Sequence, residues 1–181
     1  MKIENTLFDE VKILSFSERR DVRGDMTVAF DESELRAAGI DFVCKEQRIY
    51  TMPNKGTFFG IHFQLKSHPQ DKIIRLISGK GMDYIVDLRR SSKTYKQWTA
   101  AKLSGGDGRC VYIPQGFGHA FLSLEDNTVQ LFTVSEHFDV GASKQINFGD
   151  PAIGLEFPTD ILHISDSDRS APFIDSKKYD V

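Results

Sequence analysis

A succession of short apolar stretches separated by turn sequences constrains the fold of this chain more than any other feature. The segments between the stretches are rich in glycine, serine, aspartate and asparagine, residue types that favour turns. Typical stretches are 75–77, 84–88, 110–113 and 129–134, and the intervening turns are 78–81, 104–108 and 125–127. This alternation predicts an all-β protein, a sandwich or jelly roll, whose two sheets leave a cavity for a ligand between them.

A short helix is predicted near the N-terminal end of the chain. Asp31 stands at an N-cap position, Glu34 follows three residues later, and Gly39 is a stop signal. Beyond about residue 148, prolines and small polar residues cannot sustain a β-ladder, so an irregular or helical tail packed over the barrel is expected. No repeat or long linker divides the sequence, and we expect one domain over residues 1–181.

Composition narrows the classes of function. The 40% hydrophobic and 27% charged residues are typical of a soluble globular protein, and no apolar run approaches the roughly 20 residues of a membrane span. The formal charge of −3 argues against general nucleic-acid binding. Cys44 and Cys110 lack Cys-x-x-Cys spacing, so neither a zinc site nor a redox motif is expected. The N-terminus carries no signal-type apolar stretch, and we expect a cytoplasmic protein without membrane contact.

Two histidines stand in similar apolar and aromatic surroundings, His62 in the run 57–64 and His119 in the run 113–121. Two such strands can face one pocket. A histidine near its unperturbed pKa of about 6.5 can remove a proton from a carbon acid, provided that a carboxylate fixes its tautomer. Proton abstraction is therefore the leading chemistry. The alternative is that each histidine is only hydrogen-bonded within a core.

The spacing Pro114-x-Gly116-x-x-His119 is also similar to the second metal motif of cupins. The first cupin motif requires two histidines one residue apart and a nearby glutamate, because a divalent ion needs three or four converging ligands. Here the residue two positions after His62 is Gln64. A catalytic metal is therefore not expected.

Longer stretches resemble the dTDP-4-dehydrorhamnose 3,5-epimerase family in order and spacing over about residues 5–175. The more specific motifs are Gly-x-His-x-Gln and Ile-Pro-x-Gly-Phe-x-His, and the matching stretches are 58–72, 83–89, 92–98, 114–124 and 150–158. The resemblance implies a cupin-type jelly-roll (double-stranded β-helix) barrel that acts as a homodimer without metal or other cofactor. It also implies a reaction of deoxysugar biosynthesis, inversion of the stereocentres on both sides of the keto group in a nucleotide-linked 4-keto-6-deoxy sugar.

The same resemblance implies roles for individual residues. His62 is the base, Asp168 orients it, and Lys72 stabilises the enolate oxygen, a task that a lysine in a dry pocket performs well. Residues implied to contact the nucleotide sugar are Arg23, Gln47, Gln64, Asp83, His119, Phe132 and Phe138; among them His119 pairs with Asp83, and Phe138 stacks on the base. The simpler alternatives are that Lys72 and Arg23 are solvated surface charges and that Asp168 caps a turn.

The chain departs from the family pattern at the catalytic acid. The family supplies this acid as a tyrosine on the strand after the second histidine, where this chain has Phe132. Phenylalanine has no proton to give, so inversion would need water or another hydroxyl on the opposite face of the enolate. No tyrosine stands at a position to which the sequence assigns this role: Tyr50, Tyr84, Tyr95, Tyr112 and Tyr179.

Other departures concern the nucleotide and diphosphate. The family's arginine before Gly-x-His is Phe59 here, and expected glutamate, asparagine and glutamate positions hold Val28, Ile49 and Ser143. Loss of the arginine removes a charge-assisted contact that phenylalanine cannot replace. Either Arg48 or Arg75 could compensate.

Three hypotheses follow from the sequence. In the first, the protein is an epimerase that inverts one centre only, or that uses water, a different acid, or a different sugar or base. In the second, it is the double epimerase with a substitute acid that the sequence does not reveal. In the third, it is a non-catalytic cupin that binds a sugar nucleotide or carbohydrate, or a regulator.

Overall fold

The computed structural model describes residues 1–181 and consists mainly of β-strands. The strands are β1 (Lys2–Asn5), β2 (Lys12–Ser15), β3 (Glu18–Asp21), β4 (Gly24–Thr27), β5 (Glu46–Met52), β6 (Phe58–Gln64), β7 (Lys72–Ser78), β8 (Lys80–Asp87), β9 (Trp98–Ser104), β10 (Arg109–Ile113), β11 (Phe117–Ser123), β12 (Thr128–Val134) and β13 (Ser143–Ile146). The helices are α1 (Glu32–Ala37), α2 (Asp166–Arg169) and a 3-10 turn at Ile174–Ser176. Neither α-helix has the length or apolar content needed to cross a bilayer.

Two large antiparallel sheets pack face to face. The six-stranded sheet has the order β1-β2-β10-β7-β12-β5, the five-stranded sheet has the order β13-β6-β11-β8-β9, and β3 and β4 form a separate hairpin. The core between the sheets combines Ile74 and Val111 of the first sheet with Ile85, Leu103 and Phe121 of the second. This arrangement is the predicted jelly roll. Burial of these apolar side chains from both sheets is the main stabilising contribution that holds the sheets together.

The C-terminal tail covers the outer face of the five-stranded sheet. Tyr84 and Leu122 point to that face and are buried beneath tail residues that include Phe157 and Ile174. The tail has little regular structure, as its composition predicts, and it is held instead by side-chain bonds to the main chain. One of them joins the Asp150 carboxylate to the Ile174 N–H over 2.6 Å. The tail thereby places α2 beside β6.

The predicted helix is present as α1. Asp31 is its N-cap, and the Asp31 carboxylate accepts a hydrogen bond from the Glu34 N–H over 3.0 Å. The Glu34 side chain does not complete the capping box, because its carboxylate pairs with the N-terminal amino group at 3.0 Å. Leu35 is fully buried and packs with Phe42 over the outer face of the six-stranded sheet.

The turn predicted at 78–81 is shorter than the sequence suggests. Lys80 and Gly81 already pair with β9, so Gly79 alone remains between β7 and β8. Its φ of +76° belongs to the left-handed region, and a Cβ there would lie 2.4 Å from the Thr128 hydroxyl oxygen. Only glycine fits this turn. Because pairing with β9 starts at Lys80, the strand predicted at 84–88 begins there.

Candidate active site

A β-bulge in β6 brings His62 to the inner face of the five-stranded sheet. His62 pairs with His119, but two residues further along β11 the partner is Phe59, so β6 contains one extra residue. Because side chains alternate along a regular strand, Phe59 and His62 would otherwise point to opposite faces. With the bulge, both side chains line the interior.

The interior opens into a cavity of about 240 Å³ between the two sheets. The two walls carry different groups. His62 and His119 belong to the five-stranded sheet, whereas Lys72 and Phe132 belong to the six-stranded sheet. Further lining residues are Arg48, Tyr50, Phe59, Phe63, Gln64, Gln70, Gln130, Phe138, Ser143 and Gln145.

His62, which lines this cavity, forms a hydrogen-bonded dyad with the buried carboxylate of Asp168. His62 Nε2 lies 2.5 Å from Asp168 Oδ1, and the Gly60 N–H donates to the other carboxylate oxygen over 3.3 Å. Burial opposes ionisation of Asp168, but the bonds from His62 and Gly60 hold the pKa of its carboxyl below its usual range. An ionised carboxylate only accepts hydrogen bonds, so Nε2 carries the proton and Nδ1 is free to act as a base.

Asp168 is not the residue that caps its local turn. Ser165 is the N-cap of α2, and its hydroxyl accepts a hydrogen bond from the Asp168 N–H over 3.1 Å. The Asp168 side chain therefore points away from the helix start and is 5% exposed beside His62. The sequence alternative of a turn cap describes Ser165 instead.

Lys72 is buried rather than solvated. It is 4% exposed, and its ammonium group donates a hydrogen bond to the carbonyl oxygen of His62 over 3.1 Å. Burial lowers the pKa of Lys72 to about 8, against the opposing influence of Asp83 and Asp71. A cation held in a dry cavity next to His62 is suited to stabilise a negatively charged oxygen, such as that of an enolate.

His119 forms a second dyad with Asp83. His119 Nε2 is hydrogen-bonded to one carboxylate oxygen of Asp83, and the other carboxylate oxygen has no partner. Both residues are buried, and the imidazole packs edge-on against the ring of Phe132, with 5.4 Å between ring centroids. His119 and Phe132 thus meet from opposite sheets of the cavity, whereas Asp83, predicted to contact the nucleotide sugar, lies behind His119 and does not line the cavity.

Arg48 lies at the cavity and Arg75 does not. The Arg48 guanidinium lies 5.1 Å from the centre of the Phe138 ring and donates a hydrogen bond to Glu46 over 2.5 Å. This contact lowers the pKa of the Glu46 carboxyl to about 2. Arg75 instead points to the outer face of its sheet, where it is buried above the ring of Phe16.

Gln64 lines the cavity, but its amide is engaged within the protein. The amide nitrogen donates to the carbonyl oxygens of His68 and His137, and the amide oxygen accepts from the Asp139 N–H over 2.7 Å. Gln64 therefore positions the loop that carries Phe138.

Two predicted contact residues lie away from the cavity. Arg23 is at the tip of the β3–β4 hairpin, where its side chain is 86% exposed and pairs with Asp21. Gln47 lies on β5 between Arg48 and Glu46, points to the outer face, and donates a hydrogen bond to the Thr133 hydroxyl over 3.2 Å. Within one protomer, neither side chain meets His62.

Nowhere in the described chain do three or more His, Cys, Asp or Glu side chains converge as a group that could hold a metal ion. The two His–Asp pairs remain separate dyads. That the reaction needs no metal or other cofactor stays a prediction.

Comparison with known proteins gives a consistent result. The chain matches the family model for dTDP-4-dehydrorhamnose 3,5-epimerase over residues 5–176. The dTDP-4-dehydrorhamnose 3,5-epimerase of Methanothermobacter thermautotrophicus is 36% identical over 153 residues, which are 83% of this chain and 82% of that protein. The crystal structure of the Bacillus anthracis dTDP-4-dehydrorhamnose 3,5-epimerase with TDP and PPi bound has a TM-score of 0.92 at 30% identity, covering 95% of this chain and 98% of that one.

A second solved structure is similar over nearly the whole chain. It is a 3′-monoepimerase from Streptomyces bikiniensis in complex with dTDP-quinovose, with a TM-score of 0.87 and 28% identity over 94% of this chain and 87% of that one. The fold, the site and these relatives define an isomerase of the cupin type. The chain belongs to the dTDP-4-dehydrorhamnose 3,5-epimerase family, as its motifs predict.

Proposed function

We propose that the protein is an epimerase of a dTDP-linked 4-keto-6-deoxy sugar, formed by one domain over residues 1–181. The observation that carries the proposal is the His62–Asp168 dyad, which faces a cavity that also holds the buried ammonium group of Lys72. This set supplies a base, its orienting carboxylate and a cation for the enolate oxygen. The relatives bear the names of dTDP-sugar epimerases, and these names support dTDP as the nucleotide of the substrate.

The proposed reaction begins with proton abstraction. His62 Nδ1 removes the hydrogen on the carbon next to the ketone, and Asp168 stabilises the imidazolium that forms. The electron pair of the broken C–H bond moves to the ketone oxygen, which Lys72 stabilises as an enolate. Protonation of the same carbon from the opposite face then completes the inversion.

Either one or both of the stereocentres next to the ketone are inverted in the proposed reaction. Family relatives include 3,5-epimerases and a dTDP-4-dehydro-6-deoxyglucose 3-epimerase. In this chain, the wall that faces His62 carries Phe132, which cannot donate a proton. Inversion at one centre and inversion at both are therefore distinguished by which hydrogens exchange.

We further propose that Arg48 and Phe138 hold the nucleotide at the mouth of the cavity. The aromatic ring is 47% exposed and presents a face on which a base can stack. The Arg48 guanidinium lies 5.1 Å from the centre of that ring, and its charge takes the place of the arginine that the family has where this chain has Phe59. Charge-assisted hydrogen bonds to diphosphate oxygens are the expected contact.

We propose that the protein is a cytoplasmic homodimer in which Arg23 and Gln47 of one protomer contact the nucleotide bound in the cavity of the other. The β3–β4 hairpin is exposed along its length, and Val22 and Met26 project from it into solvent. Ile49 is likewise 69% exposed on the outer face of β5, next to Gln47. An apolar surface of this kind favours burial against a second copy. Light scattering and an R23A variant test this: a monomer, or unchanged dTDP affinity in the variant, would contradict it.

The central experiment follows dTDP-4-keto-6-deoxyglucose by proton NMR in deuterium oxide. Exchange of one or both hydrogens next to the keto system is expected with the wild-type protein. A His62→Asn variant should lose exchange while its affinity for dTDP stays unchanged, because the dyad contributes a base rather than a nucleotide contact. Nucleotide binding without any exchange would indicate the non-catalytic alternative.

A further inference from the structure

Inversion requires an acid on the wall that faces His62. His62 stands on the five-stranded sheet, so a substrate between the sheets meets the acid on the six-stranded sheet. Phe132 occupies the wall position from which a tyrosine would act, and its ring has no exchangeable proton. This inference rests on the proposed function and concerns which group completes it.

Tyr50 lies on that opposing wall. It belongs to β5, whose residues Arg48 and Tyr50 face the cavity while Gln47 and Ile49 face outward. The Tyr50 ring contacts Phe132 edge-on at 5.7 Å between centroids, and Phe59 at 5.4 Å. The phenol therefore stands next to the ring that replaces the family's acid, and it lines the same cavity as His62.

We propose that Tyr50 is the general acid of this enzyme. After His62 has taken the proton from one face, the Tyr50 hydroxyl gives its proton to the same carbon from the other face. The enolate electron pair forms the new C–H bond, the ketone is restored, and Tyr50 is left as a phenolate. Solvent then returns a proton to the phenolate and takes one from the His62 imidazolium, so each cycle ends with the starting protonation states.

The surroundings of Tyr50 fit this role. Arg48 lies on the same face of β5 two residues away, and its guanidinium can stabilise the phenolate that remains after transfer. Gln130 is the cross-strand partner of Tyr50, and its buried amide nitrogen has no hydrogen-bond partner within the protein. An unused donor at this point of the cavity is available to a substrate hydroxyl or to the phenolate itself.

The other tyrosines do not reach the cavity. Tyr84 is buried beneath the C-terminal tail, and Tyr95 and Tyr179 pack at the edge of the same cluster. Tyr112 lies on the outer face of the six-stranded sheet and donates its hydroxyl proton to Asp71 over 3.2 Å. Tyr50 is therefore the one phenol among the lining residues.

The test separates exchange from inversion in a Y50F variant. In deuterium oxide, His62 should still exchange the hydrogen next to the ketone, with retention, at a rate within about threefold of the wild type. Inversion should fall by about 100-fold or more, the usual contribution of a general acid. Adding F132Y to Y50F places a phenol on the adjacent ring position and should recover inversion at least tenfold, or about 1.4 kcal/mol.

A Y84F variant is the matched control, because it removes a buried phenol outside the cavity, and it should invert like the wild type. Inversion by Y50F within about threefold of the wild-type rate would overturn the role of Tyr50 and leave the proposed function intact. A parallel loss of exchange and inversion would also overturn it, because a packing defect acts on both. Absence of exchange in the wild type would overturn the proposed function and this inference together.

Discussion

Lys72 donates a hydrogen bond from Nζ to the main-chain carbonyl oxygen of His62 over 3.1 Å, and this bond joins the two sheets at the active-site cavity. The ammonium group is thereby fixed beside His62, the proposed base, before any substrate arrives. Preorganised charge of this kind needs no rearrangement when the enolate forms.

The rate should fall as the pH rises through about 8. The pKa of Lys72 is lowered to about 8 by burial, so above this pH the lysine loses the charge that stabilises the enolate. We expect kcat/KM to decline about tenfold per pH unit on the alkaline side. A K72M variant should be slower by about 100-fold or more and should lack this decline. An alkaline decline that persists in K72M would assign it to another group.

The titration of Lys72 should also affect stability, but in the opposite direction: the free energy of unfolding should rise with pH, whereas the rate falls. Below its folded-state pKa of about 8, Lys72 is a buried cation, whereas the unfolded chain keeps its lysine protonated up to about 10.5. Between these two pKa values the unfolded state therefore binds more protons than the folded state. The free energy of unfolding increases as the pH rises through this range. K72M should be more stable than the wild type by about 1 kcal/mol or more at pH 7, and the difference should shrink at pH 10. Urea denaturation at both pH values measures this.

A D168N variant should lose activity without losing the fold. The asparagine amide cannot stabilise the imidazolium and can favour the wrong tautomer of His62, so we expect exchange to fall about 100-fold or more. D166N is the control, since Asp166 is exposed on the same short helix and does not contact His62. Deuterium exchange measures both activities. Equal exchange rates for D168N and D166N would show that Asp168 does not orient His62.

Replacing Gly60 even with the small residue alanine should lower the activity. A Cβ at this position would lie 3.0 Å from Asp168 Cγ and Oδ1, so the carboxylate must move by a few tenths of an ångström. We expect G60A to lower the exchange rate by about tenfold or more, because small displacements of catalytic groups are costly. G149A, at an exposed glycine, serves as the control. A crystal structure of G60A with an unmoved Asp168 and full activity would contradict this prediction.

Arg48 should matter for nucleotide affinity. Replacing it with glutamine removes the positive charge beside Phe138, and we expect the affinity for dTDP to fall about tenfold, in line with a lost charge-assisted hydrogen bond. R90Q provides a comparison, because Arg90 also lies over an aromatic ring, that of Tyr95, but does not line the cavity. Calorimetric titration measures both, and the loss for Arg48 should be smaller at high salt.

Local patterns determined much of the fold. Turn residues and short apolar stretches indicated the strands, and the Asp31 cap located α1. The motifs around His62 and His119 indicated the family by their order and spacing. In the structure, the two histidines are cross-strand partners on neighbouring strands of one sheet. These features depend on neighbours in sequence, on turn geometry and on side-chain alternation, and one chain carries that information by itself.

The tertiary structure decided which side chains share the cavity. Nothing in the sequence favoured Arg48 over Arg75. In the structure, β5 and β7 both pair with β12, and this register turns Arg48 inward and Arg75 outward. Tyr50 could not be assigned from sequence because polar residues occupy both faces of β5, so alternation alone does not tell which face is buried. The burial of Lys72 and the approach of Asp168 to His62 likewise arise from packing between residues distant in sequence, and local patterns do not specify such contacts.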